Sequence, residues 1–426
     1  MRVSPRWAAA AALMTVTALS PAAASADPAP VADAAGQYIV TMTAGTAPDA
    51  LLKQLGIKPL YVYEHALPGF AARLTAAQVA RLRADPGVDE VERDTVVAIP
   101  EVEDAPSDND LEPPDPPDAE TSAAPAAAPA AAPTAVPAVP AVPAAPAVKQ
   151  RMGGFVPWGL SRINQRTMGG TGFSVKATGA KVTAYIIDSG IEYTHPDFGG
   201  RAVPGFDAIH DGHGGADCNG HGTHVAGVVG GSYTGVARKA RLVSVRVFPC
   251  SSRTTNSAVI AGIDWVAGHA RKPAVANLSV SGRWSPAANR AVEGLAKAGV
   301  FPVVAAGNEN VNACFVSPAS SPGAFSVGAI DETDRRSWFS NWGSCVDIHA
   351  PGQDILSSYL NGTFRSMDGT AMAAPHVTGI AALYKDTYGD ADFATLSKWL
   401  SGNATRNVPI DGGYGTARLF AYTNGL

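Results

Sequence analysis

The chain has 426 residues, of which 46% are hydrophobic and 16% charged, and its formal net charge is −5. That length supports a substantial core and more than one domain. A mildly acidic balance without a basic stripe interleaved with aromatics excludes a nucleic-acid surface, and the four cysteines lack the close spacing of a zinc site.

At the start, Arg2 and Arg6 precede a small and apolar run over residues 7–19, followed by Ala24-Ser25-Ala26. This pattern predicts a signal peptide over 1–26 and a secreted, extracellular product. The run is shorter than the roughly 20 residues a spanning helix needs, and no later segment reads as membrane. Strands are expected over 38–43 and 71–74 and helices over 50–55 and 76–83, the second capped by Thr75, with extended sequence over 88–99. Together they form a compact α+β module over 36–100.

Composition then changes abruptly. Nine carboxylates and no basic residue fall between Glu101 and Glu120, and Ala-Pro repeats follow to residue 148. Proline removes backbone donors and fixes φ, so 101–148 is expected to be an extended linker without a core. From 149 to 426, buried-type strands at 182–187, 242–247, 274–278 and 301–305 alternate with helical patterns around Val225, Ile260, Val292 and Ile380. That alternation predicts an α/β domain with a doubly wound parallel sheet, whose ligands bind beyond the carboxyl ends of the strands. Four cysteines in an exported chain point to disulfides, with three possible connectivities.

Three motifs carry chemistry: Ile187-Asp188-Ser189-Gly190, Asn219-Gly220-His221-Gly222-Thr223-His224, and Asp368-Gly369-Thr370-Ala371-Met372-Ala373-Ala374-Pro375-His376. An aspartate able to hold a histidine in one tautomer makes the free ring nitrogen a base. In this order the motifs resemble those of the subtilase family, the subtilisin-like serine proteases, and most closely its proteinase K and aqualysin branch; the order is the handed-down subtilisin order Asp, His, nucleophile. The resemblance implies Asp188 as orienter, His221 as general base and Asn308, in Ala305-Ala306-Gly307-Asn308, as oxyanion donor. It places Ala371 where the family has its serine. Alanine has no oxygen with which to attack a carbonyl. Thr370 is turned away by about 100° on a helix and Ser366 is remote, so the chain is expected to form no acyl-enzyme. Two explanations stand side by side: a serine endopeptidase precursor that has lost one residue, or a natural pseudopeptidase acting as a peptide-binding module.

The resemblance also implies a substrate-pairing strand at Ser279, Val280, Ser281 and Gly282, where the family's Ser-Leu-Gly-Gly is altered, and an opposite rim at Ser252 and Arg253. Arg253 either favours acidic side chains in the bound peptide or is a solvated rim charge. The module over 36–100 resembles the family's inhibitor-type propeptide, which would sit in the cleft; processing is expected between residues 148 and 153. The implied disulfides are Cys218–Cys250 and Cys314–Cys345. A structural calcium held by Asp347 with the backbone carbonyls of Pro322 and Ala324 is implied, while catalysis needs no cofactor. Expected partners are protein or peptide substrates and the chain's own propeptide, in a monomer, with neither nucleic acid nor membrane.

Overall fold

The structure is a computed structural model that describes residues 35–99, 156–406, 408–410 and 415–426. The expected signal peptide, the linker over 101–148 and the expected processing region lie outside the described residues.

The N-terminal module consists of β1 (Gly36–Met42), α1 (Asp49–Gln54), β2 (Pro59–Tyr63), β3 (Gly69–Leu74), α2 (Ala76–Arg83) and β4 (Val88–Arg93), with its antiparallel sheet in the order β2-β3-β1-β4. Thr75 caps α2 as expected: its hydroxyl accepts from Gln78 N at 3.2 Å and Gln78 Oε1 accepts from Thr75 N at 3.0 Å, which satisfies two donors that the first turn would otherwise orphan. The extended stretch expected over 88–99 is broken in two. β4 completes the module sheet, whereas β5 (Val96–Ala98) leaves it to pair with the large domain. The break sits at Asp94, whose carboxylate accepts from Gln37 Nε2 at 2.7 Å and from Ser257 N at 3.1 Å.

In the large domain the seven strands β6 (Thr183–Asp188), β7 (Ala202–Asp207), β8 (Arg241–Arg246), β10 (Ala274–Leu278), β12 (Phe301–Ala305), β14 (Phe325–Ile330) and β15 (Ile348–Pro351) form one parallel sheet, ordered β15-β14-β12-β10-β6-β8-β7. Three short strands, β9 (Arg253–Thr255), β11 (Ser281–Arg283) and β13 (Val316–Ser317), belong to the cleft, and β16 (Ile355–Tyr359) pairs with β17 (Thr363–Met367) as a hairpin. The helices are α3 (Trp158–Ile163), α4 (His221–Gly230), α5 (Asn256–His269), α6 (Pro286–Lys297), α7 (Thr370–Tyr388) and α8 (Phe393–Asn403).

Side chains alternate across a strand, so β6 feeds two cores. Ala184 and Ile186 pack with α4 and α7 on one face; Tyr185 and Ile187 pack with α5 and α6 on the other. The second core also contains Ile39, Tyr63, Leu67, Ala71, Val97 and Ile99, so apolar burial continues without a break into the N-terminal module. Strand order reverses between β6 and β10, and a sheet of this kind opens its ligand crevice at such a point, beyond the strand carboxyl ends. Asp188 ends β6 there. Of the sheet strands that no hydrophobic run announces, β7 is an edge strand containing Pro204 and Gly205, residues tolerated at an edge because one side needs no ladder partner.

Candidate active site

Asp188 is fully buried and His221 2% exposed. The imidazole Nδ1 lies 2.7 Å from Asp188 Oδ1. A carboxylate only accepts, so Nδ1 carries the hydrogen and Nε2 is the free base. Nε2 is buried and has no hydrogen-bond partner among the described residues.

His221 opens α4, and the turn that delivers it depends on two glycines. Gly220 has φ +106°, and a Cβ there would lie 2.4 Å from the Tyr359 ring; a Cβ on Gly222 would lie 2.2 Å from Gly190 O. Asp217 holds this turn. Its Oδ1 accepts from Ser189 Oγ, Asn219 N and Gly220 N, and its Oδ2 accepts from Thr223 N and Thr223 Oγ1. Sequence reasoning passed over Asp217, although an aspartate two residues before an Asn-Gly turn is a signal for side-chain capping of that turn. His224, three residues along α4, bridges to the hairpin through Nε2, 2.9 Å from Ile355 O and 3.0 Å from Arg365 O. Complete burial pushes its pKa down to about 3, so it stays neutral.

Ala371 lies in the first turn of α7, which begins at Thr370 and continues to Tyr388. Its carbonyl accepts from Ser279 Oγ at 2.7 Å; Ser279 Oγ in turn accepts from Asn277 Nδ2, and Asn277 Oδ1 accepts from Thr378 Oγ1. Thr370 fixes Asn308: its N and Oγ1 both donate to Asn308 Oδ1, at 2.9 and 2.8 Å, while Gly307 N donates to Thr370 Oγ1 at 3.0 Å. The amide oxygen of Asn308 is thereby anchored twice. Thr370, considered from the sequence only as a substitute nucleophile, here positions Asn308.

The cleft is occupied by β5. This strand runs antiparallel between the two rims, with Ala98 opposite Ser281 and Arg253, and Val97 opposite Gly282 and Thr254; Ile99 N donates to Ser252 O at 2.9 Å. Val97 and Ile99 are buried, at 2% and 5% exposure, whereas Val96 is 53% exposed. Ser279 and Val280 are themselves fully buried, so Ser281 and Gly282 supply the backbone that meets the strand. Arg253 is exposed.

Carboxylates seat the module beside the cleft. Glu92 accepts from Ser285 Oγ at 2.6 Å and Ala287 N at 3.2 Å at the start of α6, and Asp94 caps the start of α5 at Ser257. In the reverse direction Asp264 of α5, 6% exposed, accepts from the backbone of Glu64, His65 and Ala66. Burial raises the pKa of both Glu92 and Asp94.

Both disulfides are formed, Cys218–Cys250 and Cys314–Cys345. Each closes a loop of about 30 residues, a length for which roughly 3 to 4 kcal/mol of stabilisation is typical. Asp347 accepts from Ser326 N at 2.7 Å, and burial pushes its carboxyl up to about 6. A half-buried carboxylate with no cationic partner among the described residues fits a bound cation in charge, and the carbonyls of Pro322 and Ala324 are hard oxygen donors of the type calcium takes.

Residues 179–422 match the model of the subtilase family, and residues 49–100 match that of the peptidase inhibitor I9 family. The chain is 40% identical to alkaline serine exoprotease A of Vibrio alginolyticus over 76% of its own length and 52% of that protein. It is 48% identical to an extracellular serine proteinase of a Thermus strain over 62% and 66% of the two chains, so it spans about half to two thirds of these relatives. Against the cuticle-degrading protease of Metarhizium anisopliae identity is 36%, over 91% of this chain and 89% of that one. A crystal structure of a cold-adapted subtilisin-like serine proteinase superposes with a TM-score of 0.62 at 44% identity, covering 63% of this chain and 98% of the other.

Proposed function

This chain belongs to the subtilase family and carries an inhibitor-type segment ahead of its peptidase domain; from that premise we propose that it is a secreted peptidase precursor whose cleft binds extended peptide and does not cut it. The observation that carries the reading is the buried Nε2 of His221, oriented by Asp188 and without a partner among the described residues, together with an alanine at 371. A serine at that position would give Nε2 its proton donor. Attack would then form the acyl-enzyme, Asn308 would donate to the oxyanion, and His221 would return the proton to the leaving amine. With Ala371 the sequence stops at binding. The position of β5 supports a preference for apolar, β-branched side chains at alternate positions, those that Val97 and Ile99 take in the cleft.

Because nothing cuts the junction, the propeptide stays covalently attached and the chain remains a closed, self-occupied monomer. The lineage's chemistry is peptide-bond hydrolysis. The competing reading, a peptide-binding module in its own right, is favoured by the backbone ladders on both sides of β5, which need no serine. Export is supported by the N-terminal pattern of the sequence and by the extracellular relative; among the described residues no helix is long and apolar enough to cross a membrane. For the proposed calcium, Asp347 and the carbonyls of Pro322 and Ala324 would be the ligands, in a stabilising role away from the chemistry.

The test compares the parent with Ala371→Ser, both secreted from a protease-free host, by mass spectrometry and turnover of an unfolded protein. Self-cleavage and turnover in the serine form alone support the disabled-peptidase reading. Two folded, inert proteins overturn it in favour of a binding module.

A further inference from the structure

Behind the loop that leads to Ala371 lies a cavity of about 220 Å³ whose lining includes none of Asp188, His221, Asn308 and Ala371. Its floor is His376 of α7, 2% exposed. The ring Nδ1 is 2.9 Å from Met372 O; a carbonyl only accepts, so Nδ1 carries the hydrogen and Nε2 is a bare acceptor. Nε2 has no hydrogen-bond partner among the described residues. Gly159 leaves room at that atom, since a Cβ there would stand 2.6 Å from Nε2 and 3.1 Å from Cε1. The walls include Trp158, Ile355 and Leu356, while Glu332 and Asp354 are exposed carboxylates on the rim, and among the described residues no lysine or arginine lines the space.

An unpartnered acceptor open to the cavity can take a hydrogen bond from a donor placed there, apolar walls favour a hydrocarbon body, and an acidic rim favours a positive end. We propose that this cavity is a binding site for a small organic cation with an aromatic body and a hydrogen-bond donor at its far end, a hydroxyaryl amine in chemical type. The hydroxyl donates to His376 Nε2, the ring fills the space beside Trp158, and the ammonium lies between Glu332 and Asp354. The site touches the nucleophile loop directly, because Asp354 N donates to Asp368 Oδ1 at 2.5 Å, two residues before Thr370.

Tyramine is the probe, titrated into the full chain carrying ring-labelled histidine and followed at His376 Nε2 by NMR. A saturable shift at that nitrogen is expected. Phenethylamine, which lacks the hydroxyl, should bind about fivefold more weakly, the effect of one neutral hydrogen bond. Removing the rim charges with Glu332→Gln and Asp354→Asn should weaken tyramine about threefold to tenfold, and 3-(4-hydroxyphenyl)propionate, of opposite charge, should not bind. Gly159→Ala should abolish the shift with the melting temperature retained; if that variant does not fold, the exposed rim pair carries the test. A cavity that holds only water shows no saturable shift at Nε2, and this overturns the proposal, as does tyramine binding that survives both Gly159→Ala and the rim substitutions.

Discussion

Asp264 is the residue whose removal should loosen the propeptide most. Its carboxylate collects three backbone N–H groups from one propeptide turn: His65 N and Ala66 N at 2.7 Å each on Oδ1, and Glu64 N at 3.0 Å on Oδ2. Hydrogen bonds to a charged group contribute about 1.5 to 3 kcal/mol each. Water can reach a turn at a domain boundary, so the lower figure applies, and three bonds sum to about 4.5 kcal/mol. At 1.4 kcal/mol per decade this is near a thousandfold in the opening equilibrium of the turn. Asp264→Ala should therefore raise the hydrogen-exchange rate of the amides of Glu64, His65 and Ala66 by 10² to 10³ in the full chain. Asp264→Asn, which keeps one carbonyl acceptor without the charge, should give about half that effect on a logarithmic scale. Amides of the buried strand β10 serve as the internal reference. If the three amides accelerate less than threefold in Asp264→Ala while β10 is unchanged, this carboxylate does not hold the propeptide, and apolar contacts through Tyr63 and Leu67 hold it instead.

Acid should unfold the large domain through its neutral histidines. His224, His349 and His376 are held by burial at about 3, 4 and 4, below the unfolded value near 6.5. Their contribution is complete above about pH 6.5 and is lost as pH falls toward the folded values; at pH 5 the loss is about 2 kcal/mol per residue. Urea melts from pH 7 to 5 should show it, and His349→Leu should remove about a third of the slope. In an Ala371→Ser background, Thr370→Val frees the Asn308 amide and should lower kcat about tenfold with KM unchanged, part of the effect of losing an oxyanion donor outright; an equal rise in KM would place Thr370 in binding. A chelator should lower the parent's melting temperature by about 5 °C, the scale of a ligand held well above its dissociation constant, and should leave that of Asp347→Asn unmoved. A parent melt indifferent to calcium and chelator removes the calcium proposal.

Local grammar made much of the fold legible. Phe301–Ala305 coincides with an unbroken apolar run, and Ala274–Leu278 with one interrupted only by Asn277, because a strand buried on both faces is apolar on both. Thr75 announced a helix start, because a hydroxyl there caps the first turn. Partner choice is what local grammar omits. Residues 88–99 read as one extended stretch, and no pattern within them reveals that Val96–Ala98 leaves its own sheet for another domain's cleft. That decision is made at a distance, by Ser257 and Gln37 on Asp94 and by Asn256 on Thr95.

The site divides along the same line. Asp188, His221 and Asn308 stand in contiguous motifs, whereas their supports are scattered: Ser279 reaches Ala371 O across 92 residues and Thr370 reaches Asn308 across 62. These supports bear on what Ala371 means. Under the proposed mechanism, the Thr378–Asn277–Ser279 relay, the Thr370 anchor and the five bonds to Asp217 would each order an atom that acyl transfer uses, while the ladders that hold β5 involve none of them. A cleft shaped only for binding would require β9, β11 and the pockets for Val97 and Ile99, and nothing that fixes the tautomer of a histidine. The machinery therefore argues for a site one oxygen short of chemistry, and the Ala371→Ser protein should need no second substitution to cut.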